Sequence, residues 1–147
     1  MSTRSIIAIP DGQSWKGRYC HWDGYPANMG MELTAIIRRD GYETAIKVLT
    51  EDNRSWSSIK SDQSATDAPN DIPGYGTAHN DLDDGEDPWL FPNDEDWTEW
   101  AYVMNPFGIA VYRRRNGLED QFVGLFDWED NLDWTEIQDM IYDRLEV

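Results

Sequence analysis

From Ser61 to Tyr112 the chain contains no lysine or arginine, while it carries twelve acids: Asp62, Asp67, Asp71, Asp81, Asp83, Asp84, Glu86, Asp87, Asp94, Glu95, Asp96 and Glu99. A third of the sequence is therefore denied internal ion pairs, and this limits what it can fold into. Its first half, 61–85, is rich in Ser, Asp, Pro, Gly and Asn and poor in apolar residues. Such a composition cannot bury enough surface to offset its ordering entropy, so it reads as a long loop or partly disordered excursion. The second half alternates acids with Trp89, Leu90, Phe91, Trp97 and Trp100. These large apolar groups are expected to dock the segment onto the domain and to hold its carboxylates on a defined surface.

Regular patterns flank the excursion. Ser5–Pro10 is a short β-rich run, followed by the turn signal Asp11-Gly12, and Lys16–Asp23 reads as a returning strand. A helix is expected to begin at Asn28 or Gly30, with Leu33, Ile36 and Ile37 as its apolar stripe and Arg38, Arg39 and Gly41 at its end. Tyr42–Thr50 reads as a second short helix. Beyond the excursion, strands are expected over Trp100–Asn105, Ile109–Arg114 and Gln121–Trp128, then an amphipathic helix over Asp133–Leu145 with Asp133 as N-cap. The chain of 147 residues reads as one domain, 1–147, of α+β class. The expected architecture is a single, mainly antiparallel sheet covered by helices: a ββαα half (5–50), the acidic excursion (61–99) and a βββα half (100–147).

Charge sets the function classes. With 29 acids against 12 bases the net charge is −17, which repels phosphate backbones and anionic membranes and favours basic partners. Two helices across the Asp40-Gly41 turn invite a helix-turn-helix reading, but a DNA-reading helix needs basic support that this chain lacks. One cysteine permits no internal disulfide, and the apolar run Ile6–Ile9 is too short for a signal peptide or membrane span. A cytoplasmic protein that binds neither nucleic acid nor membranes directly is expected.

The stretch Arg18–Gly30 concentrates the only cysteine, one of two histidines and several aromatics around a turn. Its Tyr-Cys-His-Trp-Asp-Gly-Tyr run, Tyr19–Tyr25, with the preceding strand and the following helix, resembles small accessory proteins encoded by tailed phages of actinobacteria. The strand Glu99-Trp100-Ala101-Tyr102-Val103 is similar as well. The resemblance covers Ser5–Leu49 and, more weakly, Glu99–Val123; Ala27-Asn28-Met29-Gly30 departs from the group's more glycine-rich loop. It implies a phage accessory role in the host cytoplasm and no particular chemistry.

Several constellations can be weighed. Cys20, His21 and Asp23 are the residue types of a nucleophilic triad, yet neighbours on a strand point to opposite faces, so Cys20 and His21 should diverge. One cysteine and two histidines, with no ligand-pair spacing, do not make a closed zinc site. The run Asn80–Asp87 is dense in oxygen ligands, but with Gly85 as sixth position of a calcium loop, Leu82 falls where an oxygen belongs. This leaves weak divalent binding as the open alternative to no metal at all. No glycine-rich phosphate loop occurs, and no cofactor is expected. Arg18, Tyr19, His21, Asp23, Tyr25 and Arg38 could line a pocket for a small anionic or nucleotide-like ligand, or an enzyme site of unassigned chemistry.

The leading reading is a binding protein without catalytic residues. Carboxylates spaced by rigid aromatics can present charge somewhat as a nucleic-acid backbone does and occupy the basic groove of a nucleic-acid-binding host or defence protein. The residues expected to make that contact are Asp81, Asp83, Asp84, Glu86, Asp87, Asp94, Glu95, Asp96 and Glu99.

Overall fold

The computed structural model describes residues 3–52, 54–79, 89–94, 96–115 and 117–145. Eleven elements follow in chain order: β1 (Ser5–Asp11), β2 (Ser14–Cys20), α1 (Pro26–Asp40), α2 (Tyr42–Leu49), β3 (Trp56–Ile59), β4 (Asp71–Ile72), β5 (Gly76–Ala78), β6 (Trp100–Met104), β7 (Gly108–Arg113), β8 (Gln121–Asp127) and α3 (Trp134–Leu145). The strands form one mixed sheet in the order β4-β5-β3-β2-β1-β6-β7-β8.

The α+β class holds, and the sheet is mixed. β1 lies parallel to β6, and β2 parallel to β3, while the other neighbouring pairs are antiparallel. The second parallel contact has a chain-level cause. Parallel neighbours need a crossover of a dozen or more residues, and α1 with α2 is that crossover between β2 and β3.

β1 sits at the centre because both its faces are apolar. Ile7 joins a large core cluster with Cys20, Tyr102, Val111 and the inner faces of all three helices. Ile6 and Ala8 point the other way, into a smaller cluster with Trp15, Ala101, Val103 and Ala110. Alternation along the strand thus sends one set of side chains into the cluster that includes helix residues and the other set into the smaller cluster.

α1 starts earlier than its sequence pattern suggests, with Pro26 in its first turn, where a missing N–H costs nothing. Its stripe of Met29, Leu33, Ile36 and Ile37 is buried. Gly30 belongs to that stripe for a steric reason: a Cβ there would lie 2.2 Å from Cε3 of Trp134 on α3. α3 begins as expected, with the Asp133 carboxylate accepting N–H groups of Thr135 and Glu136 at 3.1 and 3.2 Å.

The segment read as a loop, 61–85, contains β4 and β5, which pair with each other and carry the sheet outward from β3. Backbone pairing orders them where apolar content could not. Gly76 makes the approach possible, since its φ is +142° and a Cβ would meet Ser58 O at 2.1 Å. The docking of 89–100 is uneven. Leu90 exchanges backbone hydrogen bonds of 2.9 Å with Gly17, and Trp100 is buried in β6. Phe91 and Trp97, expected to anchor the segment, are exposed instead.

Candidate functional site

Two places gather chemistry-bearing side chains. The first is the end of β2. Tyr19, near the end of β2, and His21, just beyond it, come together, with Tyr19 Oη 2.7 Å from His21 Nδ1. β3 and β5 bring His79 alongside, its ring parallel to that of His21 (9° between planes) with centroids 6.5 Å apart. Ser57 Oγ is 3.4 Å from His79 Nδ1. Both histidines of the chain thus meet at one spot, although His79 falls in the stretch read as loop. Cys20 takes no part: it points into the helix-covered core, fully buried, and burial pushes its thiol up to about 12. A thiol so held is protonated at neutral pH and is no nucleophile.

The six residues of the expected anionic pocket do not converge. Arg18 is wholly buried; it donates from Nε and from a terminal nitrogen to Thr50 O at 3.3 and 3.0 Å. The Trp89 ring lies 3.5 Å from its guanidinium carbon. This arginine ties β2 to the end of α2 and is a structural group. Tyr19 and His21 face away from it across the sheet. Asp23 is exposed at φ +57°, ending the strand, and its carbonyl accepts from Asn28 Nδ2. Tyr25 occupies the N-cap of α1. Arg38, at the other end of α1, lines a cavity of about 780 Å³ beside the loop into α3, which includes none of the other five.

The second place is a cavity of about 670 Å³ between the β1–β2 turn, residues 92–94 and 96–98, and Arg114, Arg115 and residues 117–120 after β7. At its base Arg114 is almost fully buried. Its guanidinium donates to Asp96 (3.3 Å), Asp120 (3.1 Å) and Asp94 O (3.0 Å), and it lies over the Trp15 ring at 5.1 Å. Burial, partly offset by Arg114, holds the Asp120 carboxyl above its ordinary range. Trp97 lines the same cavity with 67% of its surface exposed and its backbone at φ +62°. A bulky residue in that region costs about 1–3 kcal/mol, so the neighbouring contacts hold it there. Asp96 does much of this by accepting both the N–H and the hydroxyl of Thr98, at 3.1 and 2.6 Å.

The acids expected to meet a partner divide three ways. Asp81, Asp83, Asp84, Glu86, Asp87 and Glu95 lie outside the described residues. Asp94 and Glu99 are exposed. Asp96 is turned inward onto Arg114 and is not a displayed charge. A set that sequence reasoning passed over is exposed at the other end of the chain: Asp127, Glu129, Asp130, Asp133, Glu136, Asp139 and Asp143, with Arg144 as the one base between Gln121 and Leu145. Helical spacing alone could have found the last three, which recur at three and four residues on the solvent side of α3.

Among the described residues, no cluster of three or more His, Cys, Asp or Glu is placed to hold a metal, and no helix is long and apolar enough to cross a membrane. No protein-family model, curated protein or solved structure matches the chain.

Proposed function

We propose that the protein acts by binding, its acidic surface engaging a basic, nucleic-acid-binding protein of the host or its defences. The observation that carries this reading is the exposed acidic array of 127–143, of which Glu136, Asp139 and Asp143 sit on a helix whose opposite face, Trp134, Ile137 and Ile141, is buried in the core. Glu136, Asp139 and Asp143 follow one another along the axis at rises of about 4.5 and 6 Å. A rigid row of carboxylates needs little ordering on contact and steers a basic partner from a distance. The same charge turns away phosphate backbones, so the partner is the protein and not its nucleic acid. Asp94 and Glu99, both exposed, add to that charge, and the proposal counts Asp83, Asp84, Glu86 and Asp87 among the partner contacts. The phage accessory role, as a host-takeover or anti-defence factor in the host cytoplasm, rests on the resemblance of the Tyr19–Tyr25 run alone.

The test is capture of nucleic-acid-binding proteins from host lysate at low and high salt, with competing DNA. Two neutralised variants run alongside, one carrying Glu136→Gln, Asp139→Asn and Asp143→Asn, the other Asp83→Asn, Asp84→Asn, Glu86→Gln and Asp87→Asn. The proposal expects a partner released by salt, displaced by DNA and weakened by either set. Capture that ignores salt and both variants refutes it.

A further inference from the structure

The cavity at Arg114 has a composition that selects its occupant. Four carboxylates line it, from Asp94, Asp96, Glu119 and Asp120, against the two guanidinium groups of Arg114 and Arg115. Arg114 is already engaged by two of those carboxylates, and Arg115 donates to Glu119 O at 2.8 Å. An anionic ligand would find Arg114 taken and four carboxylates against two cations around it. A cation would find the reverse. The walls narrow the choice further. Trp97 presents its ring outward, and Tyr112, edge-on to Phe122 at 5.5 Å, lines the same space. Aromatic faces beside carboxylates suit a flat, delocalised cation, which can stack on a ring while its N–H groups pair with oxygens. The protein already does this with its own arginines: Arg114 lies over Trp15, Arg39 over Tyr75 and Arg54 over Trp56, each also paired with a carboxylate.

We propose that this cavity receives an arginine side chain of the basic partner, stacked on Trp97 and paired with the carboxylates of Glu119 and Asp94. The inference rests on the acidic-surface reading and gives it an anchor point. It also gives a use to Trp97, a large ring with 67% of its surface exposed on a left-handed backbone. Burial holds the Asp120 carboxyl above its ordinary range despite Arg114, and a guanidinium entering beside it would oppose that shift.

The experiment is calorimetric titration of the full chain at low ionic strength with hexa-arginine, hexa-citrulline and hexa-lysine peptides. Citrulline keeps the shape of arginine and removes the charge. The variants are Trp97→Ala and Glu119→Lys at the cavity, and Glu136→Lys on α3, which makes the same charge change elsewhere. All three sites are exposed, so the fold is retained. Hexa-arginine is expected to bind, hexa-citrulline to fail and hexa-lysine to bind more weakly. Trp97→Ala should weaken hexa-arginine about fivefold, and Glu119→Lys should weaken it well beyond Glu136→Lys. Equal losses from the two lysine variants, with Trp97→Ala silent, would overturn the cavity and leave the acidic surface standing. Equal affinity for hexa-lysine would overturn the guanidinium assignment. Failure of hexa-arginine to bind the wild-type chain would overturn both readings.

Discussion

Gly30→Ala offers a test in which the fold determines the sign. In an exposed helix interior the change is favourable by about 1 kcal/mol, because alanine loses less entropy than glycine. Here the new Cβ would sit 2.2, 2.3 and 2.5 Å from Cε3, Cδ2 and Cζ3 of Trp134. Carbon atoms rest at about 3.5–4.0 Å, so α1 and α3 must part or the indole must move. Ejecting the indole would forfeit burial of about 150–250 Å², or about 4–6 kcal/mol at 25 cal/mol per Å². Local separation of the helices is cheaper, and such overpacking costs about 1–3 kcal/mol. After the propensity gain, the variant should be destabilised by up to about 2 kcal/mol. In urea, with a slope of about 2 kcal/mol per M, the midpoint should fall by up to about 1 M with the slope unchanged. In a Trp134→Ala background the clash is gone, and the same substitution should raise the midpoint. A raised midpoint in the otherwise wild-type chain would refute the docking of α3 on α1.

Further outcomes follow from individual contacts. Cys20, buried with its thiol pushed up to about 12, should resist alkylation at pH 8 in the folded protein and react at once in denaturant, as a mass-shift assay reads. Asp40 accepts from Arg39 and Tyr75 and is held down to about 2, so the stability it contributes is present above about pH 4 and is lost between about 4 and 2. Asp40→Asn should flatten that acid limb in pH-dependent melting. Tyr75 is the mirror case: burial and the Asp40 carboxylate push it up to about 12, so its contribution fades above about pH 10, and Tyr75→Phe should flatten the alkaline limb. Arg18→Lys keeps the charge but loses the planar stack on Trp89 and part of the hold on Thr50 O. It should cost about 1–3 kcal/mol in urea while leaving partner binding unchanged.

Periodicity made the long elements legible. Ile6 to Ile9 alternate between two buried faces, and Leu33, Ile36 and Ile37 fall at helical spacing, so β1, β2, α1, α2, β6, β7, β8 and α3 could be read from pattern. β3, β4 and β5 could not. They are four, two and three residues long, shorter than a period-2 signal needs, and β4 and β5 hold their place by backbone pairing within a polar sequence. Missing them hid the meeting of His21 and His79 and the parallel contact of β2 with β3. The cavity was illegible for a different reason. Arg114, Asp96, Asp120 and Trp15 come from separate stretches, and only the sheet brings them together. The alternation of acids and aromatics in 89–100 argued that every ring packs inward, a rule that Phe91 and Trp97 both break. Arg18 failed as a ligand group because an arginine on a strand that reads as half-exposed is in fact covered on its helix side by α2 and Trp89.

β8 closes one side of the sheet, and on it Phe122 and Leu125 stand largely in solvent. A seven-residue edge with exposed apolar side chains is a template onto which another strand can zip, including the same strand of a second copy. What keeps copies apart is their shared charge of −17, a colloidal barrier more than a structural one. That barrier reaches about 10 Å at 0.1 M salt and about 3 Å at 1 M. Self-association through this edge should therefore grow with ionic strength, and preparations will stay monodisperse best in dilute buffer, where the protein's repulsion is least screened.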